Sequence, residues 1–348
     1  MKVLFVDGSG GWSAEQDQLR MLMHELAKAD VQILCICPEN APLALRLHRE
    51  QLDVKTVRWP DGGGLGLKLE LRRIARGYDV VHARGDRALR ALRLVTVPVV
   101  ASRLAALPID VRVWRRPQRM LVATDTVRAL LVAAGLDETR VRVIRPGVDV
   151  DELDRLDRPS PGLRDRINVP AAAFLVGAAA PLIEEERQTL IPRTAARLRD
   201  VHFVIIGEGP ARHAIEASIT AHGVGLTLHL PGALPEPRRF LRELDVFMSA
   251  AANDPAGTSL LVPLAAGVPL IAADDGAASE LLAPVHVATG ATLFPPGDPD
   301  AAAALIGRLR DEAALRERLA TEGRRHGREF TIARTAALTL AVYRELAS

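Results

Sequence analysis

Lysine is scarce in this 348-residue chain and disappears altogether after Lys68. Any cation in the remaining chain must therefore be arginine or protonated histidine. Aromatic residues make up only 3%, too few for a surface that stacks bases. The formal net charge is +2, short of the basic excess that a nucleic-acid backbone calls for. Nucleic acid is thus not an expected partner. The two cysteines, Cys35 and Cys37, share one apolar run. A bridge within a single strand is strained, so reduced thiols and a cytoplasmic setting are expected. Two ligand-type side chains one residue apart make no metal site without distant partners, and neither a metal nor a cofactor is expected. No apolar run reaches the ~20 residues that span a bilayer. The opening MKVLFVDGSGG reads as one short strand rather than a secretion signal.

What is present is 48% hydrophobic and 25% charged, the balance of a globular protein. The length suffices for two α/β domains, each with its own core. Short apolar strands alternate with helical patterns throughout, which predicts two parallel sheets. Leu19, Leu22, Met23 and Leu26 share one face of a helix predicted from about Ser13 to Ala29, with Ser13 and Gln16 as a capping box. Residues 151–171 are rich in Asp, Arg and Pro and lack apolar periodicity beyond one short helix. They divide the chain into a Rossmann-like domain at 1–152, a linker at 153–170, a second Rossmann-like domain at 171–330 and a last helix at 331–348.

The richest stretch runs from Leu244 to Leu282. An apolar strand leads into a loop of small residues, and a helix opens at Gly257-Thr258-Ser259. Unpaired N–H groups and the helix dipole at such a junction make an anion site, with the Thr258 and Ser259 hydroxyls as further donors. Alternatively, Gly257 serves only to let the helix pack closely. In the first domain, Gly10-Gly11 follows the first strand, as either a ligand-approach turn or simple turn chemistry. His82 and Arg84 end the strand Asp79–Arg84, and Arg103 follows the strand Val97–Ser102. His82 is read as facing a ligand or as a core histidine. Arg84 and Arg103 are read as cations for a phosphate or as surface arginines.

The stretch resembles the donor-nucleotide site of the retaining glycosyltransferases of family four. Members usually read E-G-x-G-x-x-x-L-E-A-M-A-x-G-x-P-V-I-A and then G-G-x-x-E. Ser249, Gly257, Leu261, Ala265, Gly267, Pro269, Ile271, Ala272, Gly276 and Glu280 fall in register. Elsewhere, Asp79–Arg84 resembles D-V-V-H-A-H, Gly207-Glu208-Gly209-Pro210 resembles G-x-G-P, and Phe294–Pro299 resembles the P-P-G-D-P segment. The resemblance covers nearly the whole chain. It implies the GT-B fold, two Rossmann-like domains facing a central cleft, with the last helix crossing back to the first. It implies Asp254, His82 and Arg187 as catalytic residues, and Gly257, Thr258, Ser259, Gly207 and Glu280 as donor-binding. Gly10, Gly11, Arg84 and Arg103 would be acceptor-binding.

The departures fall on one ligand. Of the family's two glutamates, the first becomes Asp254 and the second, which holds the ribose, becomes Val262. The arginine and lysine of G-R-L-x-x-x-K-G become Pro181 and Glu186, with Arg187 one position away. Transfer from a nucleoside-diphosphate sugar builds negative charge on the leaving diphosphate, which calls for preorganised cations. Two expectations therefore stand. One is a retaining transferase that moves a sugar from a nucleoside-diphosphate sugar to a cell-envelope glycan or glycolipid acceptor of lipopolysaccharide type. It would be cytoplasmic, with peripheral association at the inner membrane face. The other is an inactive pseudo-glycosyltransferase that binds a ligand or partner without turnover.

Overall fold

Val3–Val6, Phe203–Ile206 and Val246–Met248 are unbroken apolar runs, the pattern of strands covered by helices on both faces of a parallel sheet. In the computed structural model, which describes residues 1–104, 110–157, 159–251 and 256–347, they are fully buried. The chain divides into two units, Met1–Gly147 with Thr331–Ser348, and Val148–Phe330.

In the first unit the strands are β1 (Lys2–Asp7), β2 (Gln32–Pro38), β3 (Val54–Val57), β4 (Val80–Arg84), β5 (Val99–Arg103), β6 (Arg119–Val122) and β7 (Val141–Val143). They form one sheet in the order β3-β2-β1-β4-β5-β6-β7, with each neighbouring pair parallel. Asp7 lies beside Arg84 in the register of β1 with β4, and Arg84 beside Ser102 in that of β4 with β5. The helix Ala14–Lys28 starts at Ser13, whose hydroxyl accepts from the Glu15 N–H and reaches Gln16 Oε1 at 2.7 Å. The last helix, Ile332–Ala347, shares a core with it: Leu19, Leu22, Met23 and Leu26 meet Ile332, Ala336, Leu340 and Tyr343. Gly147 leaves room for that helix to start, since a Cβ there would lie 2.5 Å from the Ile332 backbone.

In the second unit β8 (Leu175–Ala179), β9 (His202–Ile206), β10 (Leu228–Gly232), β11 (Val246–Ser249), β12 (Leu270–Ala273) and β13 (Leu293–Phe294) form a parallel sheet. Its order is β10-β9-β8-β11-β12-β13. Each sheet reverses its strand order beside its first strand, at β1/β4 and at β8/β11, where doubly wound sheets take their ligands.

The stretch 153–170, expected as a linker, packs on the second unit. Leu153, Leu163, Ile167 and Val169 are buried in its core. The Glu243 carboxylate accepts from the N–H groups of Leu163 and Arg164 at 2.9 and 3.2 Å, and Arg164 pairs with Asp245 at 2.9 Å. Its apolar residues are irregularly spaced because two short helices, Val150–Arg155 and Leu163–Arg166, each bury only one or two side chains. The helix Ala277–Thr289 carries Pro284 inside it. Among the described residues no helix is long and apolar enough to cross a membrane.

Candidate active site

In the first unit the C-terminal ends of β4, β5 and β6 open onto a pocket of about 430 Å³, part of it continuous with solvent. His82, Arg84, Ser102 and Arg103 line it, with Gln18 from the first helix and Thr335 and Thr339 from the last. The structure thus brings together the three side chains singled out on β4 and β5. His82 is buried; its Nδ1 faces the Tyr343 hydroxyl and its Nε2 lies 2.6 Å from Ser102 Oγ. Burial, with a smaller contribution from the Arg84 charge, depresses its pKa to about 3. It is therefore a neutral ring at neutral pH, with both nitrogens engaged.

Arg84 is 7% exposed. Its Nη1 donates to Ser102 Oγ at 3.1 Å and its Nη2 to the Glu15 carbonyl at 2.9 Å, while Nε is buried with no partner. Arg103 differs: it pairs with Asp86 at 2.9 Å, and that carboxylate also accepts from the Trp114 indole at 2.6 Å. Asp7 is buried as well and accepts from Gln16 Nε2 at 3.0 Å and the Ser9 N–H at 2.8 Å. Burial pushes its carboxyl above the ordinary range, against those hydrogen bonds. Gly10 and Gly11 stand in open space, with nothing within 4 Å of a built Cβ. The crowded glycine of that loop is Gly8, where a Cβ would meet Arg87 Cβ at 2.7 Å and Trp59 at 3.0 Å.

In the second unit the ends of β8 and β11 border a smaller pocket of about 250 Å³. Ala178, Ala179 and Ala180 form one wall, and Ser249, Ser259, Glu186 and Gln188 line the rest. Ser259 lies in the first turn of the helix Thr258–Ala266, whose N-cap Gly257 adopts φ 64°. A Cβ on Gly257 would also lie 3.1 Å from Leu281 and 3.4 Å from Ala277. Both readings of Gly257 thus have a physical basis, since it fits a close helix contact and caps a helix whose first turn reaches the pocket through Ser259. Gln188 is buried, and its Oε1 has no partner. Glu280 sits in the first turn of Ala277–Thr289. Asp254 lies outside the described residues.

Glu184–Glu186 form a single 3-10 turn, ended by Arg187 in the left-handed region at φ 47°. That turn sends neighbouring side chains to different places. Glu186 lines the pocket with Ser259, whereas Arg187 lines a separate depression with Thr189, Pro210 and Ala214. The Arg187 guanidinium lies 3.7 Å from the Asp275 carboxylate. The structure therefore does not bring Arg187 into the Ser259 pocket. Val262 is half-buried and packs on the apolar core, which leaves no room for an ionised replacement without cost. Gly207 and Gly209 let the β9 turn touch the loop after β8, where built Cβ atoms would lie 2.0 Å from the Ala180 carbonyl and 2.3 Å from that of Leu182. The Gly207 N–H is already donated to the Gly232 carbonyl at 3.0 Å.

Ser102, Tyr343 and Gln188 were missed from sequence. Tyr343 meets His82 across 261 positions, and no local pattern announces such a contact.

Two parallel Rossmann-like sheets of this kind define the GT-B class of glycosyltransferase folds, and solved structures agree. Anabaena HepE in complex with UDP and glucose superposes with a TM-score of 0.85 at 19% identity, covering 98% of each chain. A Rickettsia africae glycosyltransferase gives 0.87 at 15% identity, covering 99% of this chain and 98% of its own. Residues 169–326 match the family model described as glycosyl transferases group 1, and residues 18–152 match that of glycosyltransferase family 4. The chain belongs to the group 1, family four glycosyltransferases. Its curated relatives include a D-inositol 3-phosphate glycosyltransferase of Thermomonospora curvata, 28% identical over 83% of this chain and 67% of that one. The lipopolysaccharide core biosynthesis glycosyltransferase LpsD of Rhizobium meliloti is 26% identical over 74% and 73%.

Proposed function

We propose that the protein transfers a sugar, with retention, from a nucleoside-diphosphate sugar to a cell-envelope glycan or glycolipid of lipopolysaccharide type. The observation that carries this reading is the match of both units to the family's two models. The relatives that act in lipopolysaccharide core biosynthesis support the acceptor class. Within the second unit, the dipole at the N-terminal turn of Thr258–Ala266, where Ser259 and Ser249 line the pocket, suits a phosphate. In this reading Asp254 and Glu280 act on the donor, and the first-unit pocket takes the acceptor. The acceptor class also leads us to propose peripheral work at the inner membrane face.

A second reading has its own observation. Glu186, where the family has lysine, lines the pocket that would hold the diphosphate. A carboxylate there opposes the leaving group's charge, which favours a pseudo-glycosyltransferase that binds without turnover. One experiment separates the two readings. The protein is incubated with a panel of UDP-, GDP- and ADP-sugars and a lipopolysaccharide-type acceptor, and both transfer and donor hydrolysis are followed. Turnover of any donor supports the transferase. Nucleotide binding without transfer or hydrolysis supports the pseudoenzyme.

A further inference from the structure

We propose that the first-unit pocket is an oxyanion site in which Arg84 holds a phosphate or carboxylate group of the acceptor. Assigning the anion to the acceptor rests on the transferase reading; the site itself does not.

Arg84 carries a permanent charge, and more than nine-tenths of it is buried. Such a charge is costly unless it is paired. Among the described residues no carboxylate lies within 4.0 Å of its guanidinium. Asp7, its neighbour in the sheet, feels the Arg84 charge without contacting it and accepts instead from Gln16 and the Ser9 N–H, while Glu15 Oε1 accepts from the Leu104 N–H at 3.2 Å. Both hydrogen-bond partners of Arg84 are neutral oxygens, Ser102 Oγ and the Glu15 carbonyl. One further donor, Nε, has no partner at all. Arg84 also lines the cavity at the strand ends, where ligands enter such sheets.

The neighbours explain why the missing partner must be an anion. His82 is neutral and fully engaged, so it neither competes for the anion nor supplies a second cation. Arg103 is already balanced by Asp86. The Thr335 and Thr339 hydroxyls donate away from the pocket, to the carbonyls of Arg145 and Thr335 at 2.9 and 2.8 Å. Gln18 spends its amide on the Gly147 backbone, and Leu22, Leu121, Val122 and Ile144 add apolar wall. A neutral sugar ring would find few donors here, whereas an oxyanion would meet an arginine fork in a weakly polar wall, where charge-assisted bonds are strong.

The full chain is titrated by calorimetry with inorganic phosphate and, separately, with acetate, with chloride balancing the ionic strength. Saturable binding of at least one anion is expected, weakened about tenfold or more in Arg84→Gln and less in Arg84→Lys. A second readout needs no variant. The His82 ring shares Ser102 with Arg84, so its NMR resonances should shift along the same saturation curve as the heat. No saturable binding, binding unchanged in folded Arg84→Gln, or heat without a His82 shift each overturns the site. If Arg84→Gln does not fold, the His82 shift decides. Preference for phosphate over acetate, or the reverse, identifies the acceptor's group. UDP, GDP and ADP are titrated in parallel. Arg84-dependent anion binding without binding of any of the three nucleotides sinks the transferase reading and leaves the site standing; nucleotide binding without anion binding does the reverse.

Discussion

The two units present the same topological feature to solvent, the reversal of strand order beside β1 and beside β8, yet with opposite charge. At the first lies a buried arginine with no acid in contact, Arg84. At the second, a carboxylate from Glu186 shares a pocket with the N-terminal turn of a helix. The backbone of a doubly wound sheet decides where a ligand sits, and side chains of the adjoining loops decide its charge. In this chain the pocket of the second unit presents a carboxylate, while that of the first presents an arginine with no acid in direct contact.

The largest effect that tests this contrast concerns the turns beneath the pockets. Gly207→Ala should destabilise the second unit by about 3 kcal/mol, because the new methyl would run into the Ala180 carbonyl. Gly10→Ala, in open space, should stay within about 0.5 kcal/mol. Urea midpoints of the two variants give the comparison, and equal losses would mean that the first-unit loop is as tightly packed as the second.

The next effect is a pH dependence confined to the first unit. His82 titrates near its ordinary 6.5 when unfolded and at about 3 when folded. Between those values the unfolded chain binds the extra proton. Stability should therefore be full above pH 6.5 and fall as the pH drops, by up to about 1.4 kcal/mol per unit. A His82→Asn variant should lose this component, leaving a shallower acid limb in urea unfolding. Superimposable pH profiles for the two proteins would show that the ring is not the group responsible.

Smaller again is the expected gain from relieving repulsion in the second unit. Glu186→Gln should tighten UDP binding about tenfold, and Glu186→Lys somewhat more, by removing and then reversing one charge beside the helix N-terminus. Calorimetry checks this, and an unchanged dissociation constant would mean that nucleotide does not enter the Glu186 pocket. The smallest effect belongs to Arg187→Ala. Because that side chain faces Asp275 and a different depression, UDP affinity should stay within about threefold.

The elements that a short repeat in sequence can encode were legible. Lys2–Asp7, Val54–Val57 and Leu270–Ala273 occur where apolar runs of strand length place them. Ser13 and Gln16 make their contact because a helix start is a local arrangement. Irregular segments were not legible. The stretch 153–170 has no amphipathic period, and only packing against Glu243, Asp245 and the second-unit core gives it structure. The helix Ala277–Thr289 forms despite Pro284, because burial of Leu281, Leu282 and Val285 offsets the propensity that disfavours proline inside a helix. For the candidate sites, residue types and strand ends were readable, and partners were not.

By itself the sequence determined the family, two parallel sheets and the glycine turn before Thr258. These follow from residue identity and from spacings of a few positions. Only the tertiary structure decided that His82 is a neutral ring held by Ser102 and Tyr343, that Arg103 is balanced and Arg84 is not, and that Glu186 rather than Arg187 lines the Ser259 pocket. The reason is physical: charge and protonation depend on burial and on which groups lie within a few ångströms, and those neighbours come from strands and helices far apart in the chain.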